Sequence, residues 1–267
     1  MNSCETILAM ILKAASIIQN MCFLLGLVSV PDMIAILQEI NQYFKEGRIK
    51  DMPEKKYIQD FDLIKNYIVY RLINTDKNER LLEDIPHINF LDLSIVFHCL
   101  TKQTMFCTTY NLIRNVHFQQ WNVSLARLYE AANKNTQKIL GYEMKSLRSM
   151  MCEMMRENPE KFDSELLDRL ENSIPMYVVS NKSRTEGASC MLYPKLIEDF
   201  SEALGENIYI IPSSINELIL LPAINDDAGI YIKNSIREVN DTNMKPGEIL
   251  SYSLYYYDRG MNRIMIY

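Results

Sequence analysis

Apolar and polar positions along the 267 residues follow two rhythms, one helical and one extended. Met33, Ile36, Ile40 and Tyr43 recur at intervals of three and four, which predicts a helix over 32–46 with Asp32 able to cap it and Gly47 able to end it. At 67–73 the rhythm changes: YIVYRLI is rich in β-branched and aromatic residues, and the turn-like NTDKNE follows. Residues 89–100, NFLDLSIVFHCL, alternate: Leu93, Ile95, Phe97 and Cys99 share one face, and Asp92, Ser94, Val96 and His98 the other. CTTYNLIRNVHF, 107–118, is expected as the next strand, antiparallel to it through a loop at 101–106. Ser124 then caps a helix with Leu125, Leu128, Ala132 and Ile139 along one stripe. A second helix is expected over 143–157, its methionines (Met144, Met150, Met151, Met154 and Met155) forming an adaptable core seam.

In the C-terminal part the pattern predicts a strand at MYVVS from 176, another around ASCML at 188, and a helix over 195–204 between Pro194 and Gly205. NIYIIPSSINELILLP, 207–222, is apolar at both parities, as expected of two strands buried on both faces. Pro212 suits the second position of a type I turn, and a strand is expected over 217–221; the run from Ser214 to Glu217 also matches a helix-starting capping box. A helix near 228–240 follows, with Asp226 and Asp227 at its positive end, and SLYYYDRGMNRIMIY reads as a hairpin turning at 258–260. Antiparallel strands separated by helices define an α+β fold. The polar stretch 157–175 divides it into an N-terminal α+β lobe at 32–157 and a C-terminal α+β lobe at 173–267, preceded by an apolar helix at 1–31.

Composition narrows the partners. A net charge of −6 and the lack of any long basic run leave nothing to neutralise a phosphate backbone, so nucleic acid is not expected. The cysteines Cys4, Cys22, Cys99, Cys107, Cys152 and Cys190 show no CxxC spacing and read as reduced thiols of a cytoplasmic protein. The apolar stretch 5–30 is long enough for a bilayer but is interrupted by Lys13, Gln19 and Asn20. It reads as a packed amphipathic helix, a membrane-associated segment or a start-site artefact, and it is the only route by which a membrane partner is expected.

The chain contains no GxGxxG, GxxxxGK[ST], HExxH or GxSxG, and no paired Cys and His spacing. Asp92, Ser94 and His98 on one strand face cannot form a triad, because six residues of strand separate the ends by roughly 20 Å. His87, His98 and His117 are the only histidines, and no metal or cofactor is expected. The remaining catalytic candidates are Ser213 or Cys190 as nucleophile with His98 or His117 as base, brought together only by the fold. Ser213 and Ser214 otherwise form a turn, and Cys190 is otherwise a buried thiol. Tyr252, Tyr255, Tyr256 and Tyr257 form a possible interaction surface, since aromatic residues anchor partners; the plainer account of them is ordinary strand propensity.

Five ordered blocks carry a further likeness: FDLIKNYIVYRLIN, LLEDIPHINFLDLSIVFHCL, NVHFQQWNVSLARLYEAANKNT, SCMLYPKLIEDFSEALGENIYIIPSSINELILLP and REVNDTNMKPGEILSYSLYYYDR. Over about residues 34–260 they resemble a family of bacterial proteins, common in Gram-positive gut anaerobes, that is catalogued as a domain of unknown function. The resemblance implies neither an activity nor a cofactor. The family pattern places histidine where this chain has Asn216, and its members start differently from residues 5–30. The expected function is therefore that of a non-catalytic cytosolic binding or interaction protein with a protein or small-molecule partner; the alternatives are a hydrolase with a dispersed Ser or Cys site, and a membrane-associated protein held by residues 5–30.

Overall fold

Strand β1 (Ile68–Asn74) has Ile68, Tyr70 and Leu72 buried on one face, and its β-branched and aromatic content explains why it is extended. It pairs antiparallel with β3 (Leu93–Gln103), matching Tyr70 to Phe97 and Leu72 to Ile95. On the far side β3 pairs first with β2 (His87–Phe90) and then with β4 (Thr108–Leu112), completing a four-stranded antiparallel sheet. The structure, a computed structural model, describes residues 60–103, 108–150, 152, 175–224 and 226–267. The expectations for 5–30, 32–46 and 157–174 lie outside these residues. Those described belong to one compact unit, 51–267.

The second sheet has six strands in the order β10, β9, β7, β8, β6, β5, all neighbours antiparallel. They are β5 (Glu143–Ser146), β6 (Tyr177–Ser180), β7 (Ile208–Ile211), β8 (Leu218–Pro222), β9 (Tyr255–Asp258) and β10 (Arg263–Ile266). The expectation for β7 and β8 holds: Ile208, Ile210, Leu218 and Leu220 enter the main core, while Tyr209 and Leu221 join a second cluster on the opposite face. The fold is α+β.

The α-helices whose bounds lie wholly within the described residues are α1 (Phe61–Ile64), α2 (Glu79–Leu82), α3 (Asn115–Trp121), α4 (Leu125–Leu140), α5 (Leu196–Leu204) and α6 (Asp226–Asn243). The Ser124 side chain accepts from the Arg127 N–H at 3.2 Å, as the cap of α4 should. Gly205 ends α5 at φ +76°, a conformation open to glycine at little cost. Gly229 lets α6 lie against the Tyr209 hydroxyl and the Tyr267 ring, where a Cβ would meet both closer than 3 Å. None of these helices is long and apolar enough to cross a membrane.

Four local expectations are overturned. Residues 89–100 are not one strand, because Leu91 at φ +57° breaks the chain into β2 and β3. The strand expected over 107–118 stops at Leu112, and His117 lies on α3. Residues 143–146 form β5, because β6 offers them a ladder from Tyr177 to Ser180, and the expected methionine-rich helix starts only at 147, with 147–150 and 152 helical among the described residues. Gly187–Leu192 is a 3₁₀ helix, not a strand. Its reason is visible at β1, whose outer edge is closed by side chains.

That edge is buried, so its peptide groups need partners. The Tyr70 N–H donates to the Thr136 hydroxyl of α4 at 3.0 Å, and the Leu72 N–H to the Ser189 hydroxyl of the 3₁₀ helix at 3.3 Å. Asn135 donates to the carbonyls of Lys65 at 2.7 Å and Ile68 at 3.0 Å. The Tyr70 hydroxyl reaches on to the Leu192 carbonyl at 3.1 Å. Thr136→Val keeps the shape of the side chain and removes the acceptor, leaving a buried N–H unpaired. It is expected to lower stability by about 1–3 kcal/mol, measured as a lower urea midpoint together with faster hydrogen exchange at the Tyr70 amide.

Candidate functional site

The four catalytic candidates fall in separate settings. Cys190 is fully buried in the 3₁₀ helix, and burial pushes its thiol up to about 12, an effect the Tyr193 hydroxyl beside it only eases. Cys99 is pushed to about 12 by burial as well. A thiol held protonated is not a nucleophile. His98 lies in the ladder opposite Val69 and Leu112 and packs edge-on against Tyr110, ring centres 6.2 Å apart. Burial, and then the nearby Arg71 charge, lower it to about 3, and its Nδ1 is buried without a partner. His117 stacks on Trp121 and accepts from the Arg114 N–H at 3.2 Å; burial and then Arg114 lower its pKa. Neither histidine has a hydrogen bond or ring contact with Cys190 or Ser213. Among the described residues no three His, Cys, Asp or Glu side chains converge as a metal site.

Ser213 sits in the β7–β8 turn, where its hydroxyl is 3.5 Å from a Glu217 carboxylate oxygen. The turn is not type I: the Ser213 N–H closes a tight three-residue turn onto the Ile211 carbonyl at 2.9 Å. Ser214 caps it, accepting from the Asn216 N–H at 3.0 Å. Asn216 in turn accepts from the Glu186 N–H at 2.8 Å, and its carbonyl accepts from the Ser180 hydroxyl at 2.6 Å. Its visible work is to fix Glu186, which pairs with Arg71 under the Tyr110 ring. Ser213 also borders a small apolar groove of about 210 Å³ between α6 and the β7–β8 pair.

Of the four tyrosines, Tyr255 and Tyr257 are buried, which removes their rings from any outer surface. Tyr256 packs with Tyr209 and Tyr267, and Tyr252 alone is well exposed, its hydroxyl donating to Asp241 at 2.9 Å. The Tyr255 hydroxyl instead belongs to a latch. The Asp92 carboxylate, lifted out of strand alternation by the turn at Leu91, accepts from Ser251 at 2.5 Å, Tyr255 at 2.6 Å and Ser253 at 3.1 Å. Burial and the bond to Asp92 raise the Tyr255 pKa. Ser251, Ser253 and Tyr255 alternate at period two, the signal that could have exposed the latch from sequence.

The latch ties the β2–β3 turn to the strand leading into the β9–β10 hairpin, and between those elements lies a cleft of about 510 Å³. Its walls are Asn89 to Leu91 on one side and Asn262 to Ile264 on the other. Lys195 and Glu198, at the start of α5, stand beside Tyr193 and Tyr257. The volume falls within the range of roughly 300–1,000 Å³ usual for ligand sites. No residue lining this cleft was singled out from the sequence except Tyr257, because none belongs to a motif.

The fold and this cleft define an α+β protein with a formed pocket and no assembled nucleophile and base among the described residues. The chain belongs to a family of unknown function, DUF5688, matched over residues 27–259. No curated protein and no solved structure matches it.

Two outcomes follow. Asp92→Ala strands three hydroxyls and is expected to cost roughly 2–4 kcal/mol, seen as a lower urea midpoint. The second is a pH effect of His98, whose folded-state pKa, about 3, lies below its unfolded value. Below the unfolded pKa the unfolded chain takes up a proton that the folded one refuses, so this contribution is present at neutral pH and lost as pH falls from about 6.5 toward 3. Wild type should therefore lose roughly 2 kcal/mol more than His98→Phe between pH 7 and pH 5, measured by urea unfolding at both values.

Proposed function

We propose that this member of the family is a non-catalytic binding protein of the bacterial cytosol, with its ligand seated in the cleft of about 510 Å³. The observation that carries the reading is the pairing of a formed, charged cleft with nucleophiles that are disarmed or lack a base. Cys190 is protonated and enclosed, and Ser213 has a lone carboxylate for company. The free thiols Cys99, Cys152 and Cys190 suit a reducing compartment. The likeness to proteins of Gram-positive gut anaerobes supports a bacterial host.

Lys195 and Arg263 are exposed at the cleft, and neither side chain has a hydrogen-bond or ion-pair partner among the described residues. They offer a cationic handle to an anionic group of the ligand, opposed by the carboxylate of Glu198.

A thermal-shift screen of metabolites and short peptides is expected to yield stabilising compounds that act on wild type and lose their effect on the double variant Lys195→Glu, Arg263→Glu. Covalent labelling of native protein by a fluorophosphonate or iodoacetamide, abolished by Ser213→Ala or Cys190→Ala, would overturn the reading in favour of a hydrolase. At pH 8 a thiol titrating near 12 is ionised in about one molecule in ten thousand, so peptide mapping should find Cys190 unmodified until urea is added.

A further inference from the structure

The walls of the cleft are strand edges. β2 pairs with β3 and β10 pairs with β9, and among the described residues neither has a neighbour on its other side. Consecutive residues of each line the cleft, Asn89 with Phe90 and Arg263 with Ile264. Along a strand, successive side chains point to opposite faces. Burial follows that rule here, with Phe90 and Ile264 packed on the main core and Asn89 and Arg263 exposed. A cavity touched by both parities of a strand faces neither sheet surface; it faces the edge, where alternate N–H and C=O groups point outward unpaired.

We infer that the cleft binds a peptide in extended conformation, which adds a strand to one of these edges; this rests on the binding reading above and names its ligand class. The recognition chemistry is main-chain pairing for affinity and side-chain pockets for selection. β10 is four residues long, about 13 Å at ~3.3 Å per residue, so the bound segment is about four or five residues. Phe90, Ile197 and Ile264 give an apolar floor, and exposed Leu91 stands at the rim. Lys195 and Arg263 outweigh Glu198, so the preferred peptide carries an acidic side chain beside apolar ones.

The test uses the full chain and a fluorescein-labelled pentapeptide, Val-Asp-Ile-Asp-Val, followed by anisotropy and by hydrogen exchange of the protein. Saturable binding is expected, with new amide protection in 87–90 or 263–266. Methylating alternate backbone nitrogens of the peptide should weaken it at least about tenfold, because a donor to the edge is lost. Arg263→Glu, an exposed change that spares the core, should weaken the parent peptide and favour a lysine-containing one. The inference is overturned if the peptide fails to bind at millimolar concentration, if methylation has no effect, or if protection appears only elsewhere. It is overturned equally if N-acetyl-aspartate displaces the peptide with equal affinity, since the cleft then takes a small anion. In each of these cases charge-sensitive compounds from the thermal-shift screen would leave the broader binding reading standing, whereas labelling of Ser213 or Cys190 would remove that reading as well.

Discussion

β1 is an edge strand that lies inside the protein, so the outward N–H groups of Tyr70 and Leu72 face neither water nor another strand. A buried amide without a partner costs as much as several favourable contacts return. The protein meets the demand with side chains, Thr136 from α4 and Ser189 from the 3₁₀ helix, and Asn135 serves the carbonyls below. Each of these residues can do so only at one position and angle. The edge therefore fixes where α4 runs and where the 3₁₀ segment stops being free to pair as a strand. Since that segment also meets the β7–β8 turn, with the Ala188 N–H donating to the Ile215 carbonyl at 3.2 Å, the same constraint docks the second sheet on the first.

The charges of Arg71 and Asp92 are met locally. Arg71 lies between the Glu186 carboxylate and the face of Tyr110, so its charge is both paired and covered by an aromatic ring. Asp92 has three hydroxyl donors and, among the described residues, no cation, which holds its oxygens in fixed directions. His98, Cys99 and Cys190 are each pushed toward the uncharged form by burial. Perturbed pKa values often mark active sites. Here burial is the largest cause of each shift: the thiols go up, the histidine goes down, and among the described residues neither Cys190 nor Ser213 is hydrogen-bonded to a histidine.

Much of this architecture was readable in the residues. β1, the Ser124 cap, the Pro194 to Gly205 helix and the doubly buried β7–β8 pair all follow from local pattern, because in each the periodicity and the terminating residue agree. The misread segments are those where a distant partner decides. Residues 143–146 have helix-forming side chains but meet the open edge of β6. Residues 187–192 look extended until Ser189 is needed at β1. Leu91 carries no glycine to announce its positive φ, so the alternation through 89–100 concealed a turn and put Asp92 on the wrong element. The cleft was illegible for a related reason. Its residues come from four separated stretches of ordinary composition, and edge exposure is a property of sheet order, which local pattern does not encode.

The contrast between the edges is informative. β1 is long, and leaving it open would present a buried row of unpaired groups, so side chains plug the Tyr70 and Leu72 N–H groups and the Ile68 carbonyl. β2 and β10 are four residues each and carry no such plugs among the described residues. Short edges bearing charge are a common protection against aggregation, because a long strand gains too little by pairing with them. Arg263 supplies the charge on β10, and the turn at Leu91 truncates β2 before it can extend. The features that prevent indiscriminate sheet growth thus also set the length of edge that the proposed peptide would meet. The Asp92 latch holds the β2–β3 turn against the chain entering β9, so the space between the two edges is set by the fold itself, and a peptide bound as proposed would leave little ordering to be done.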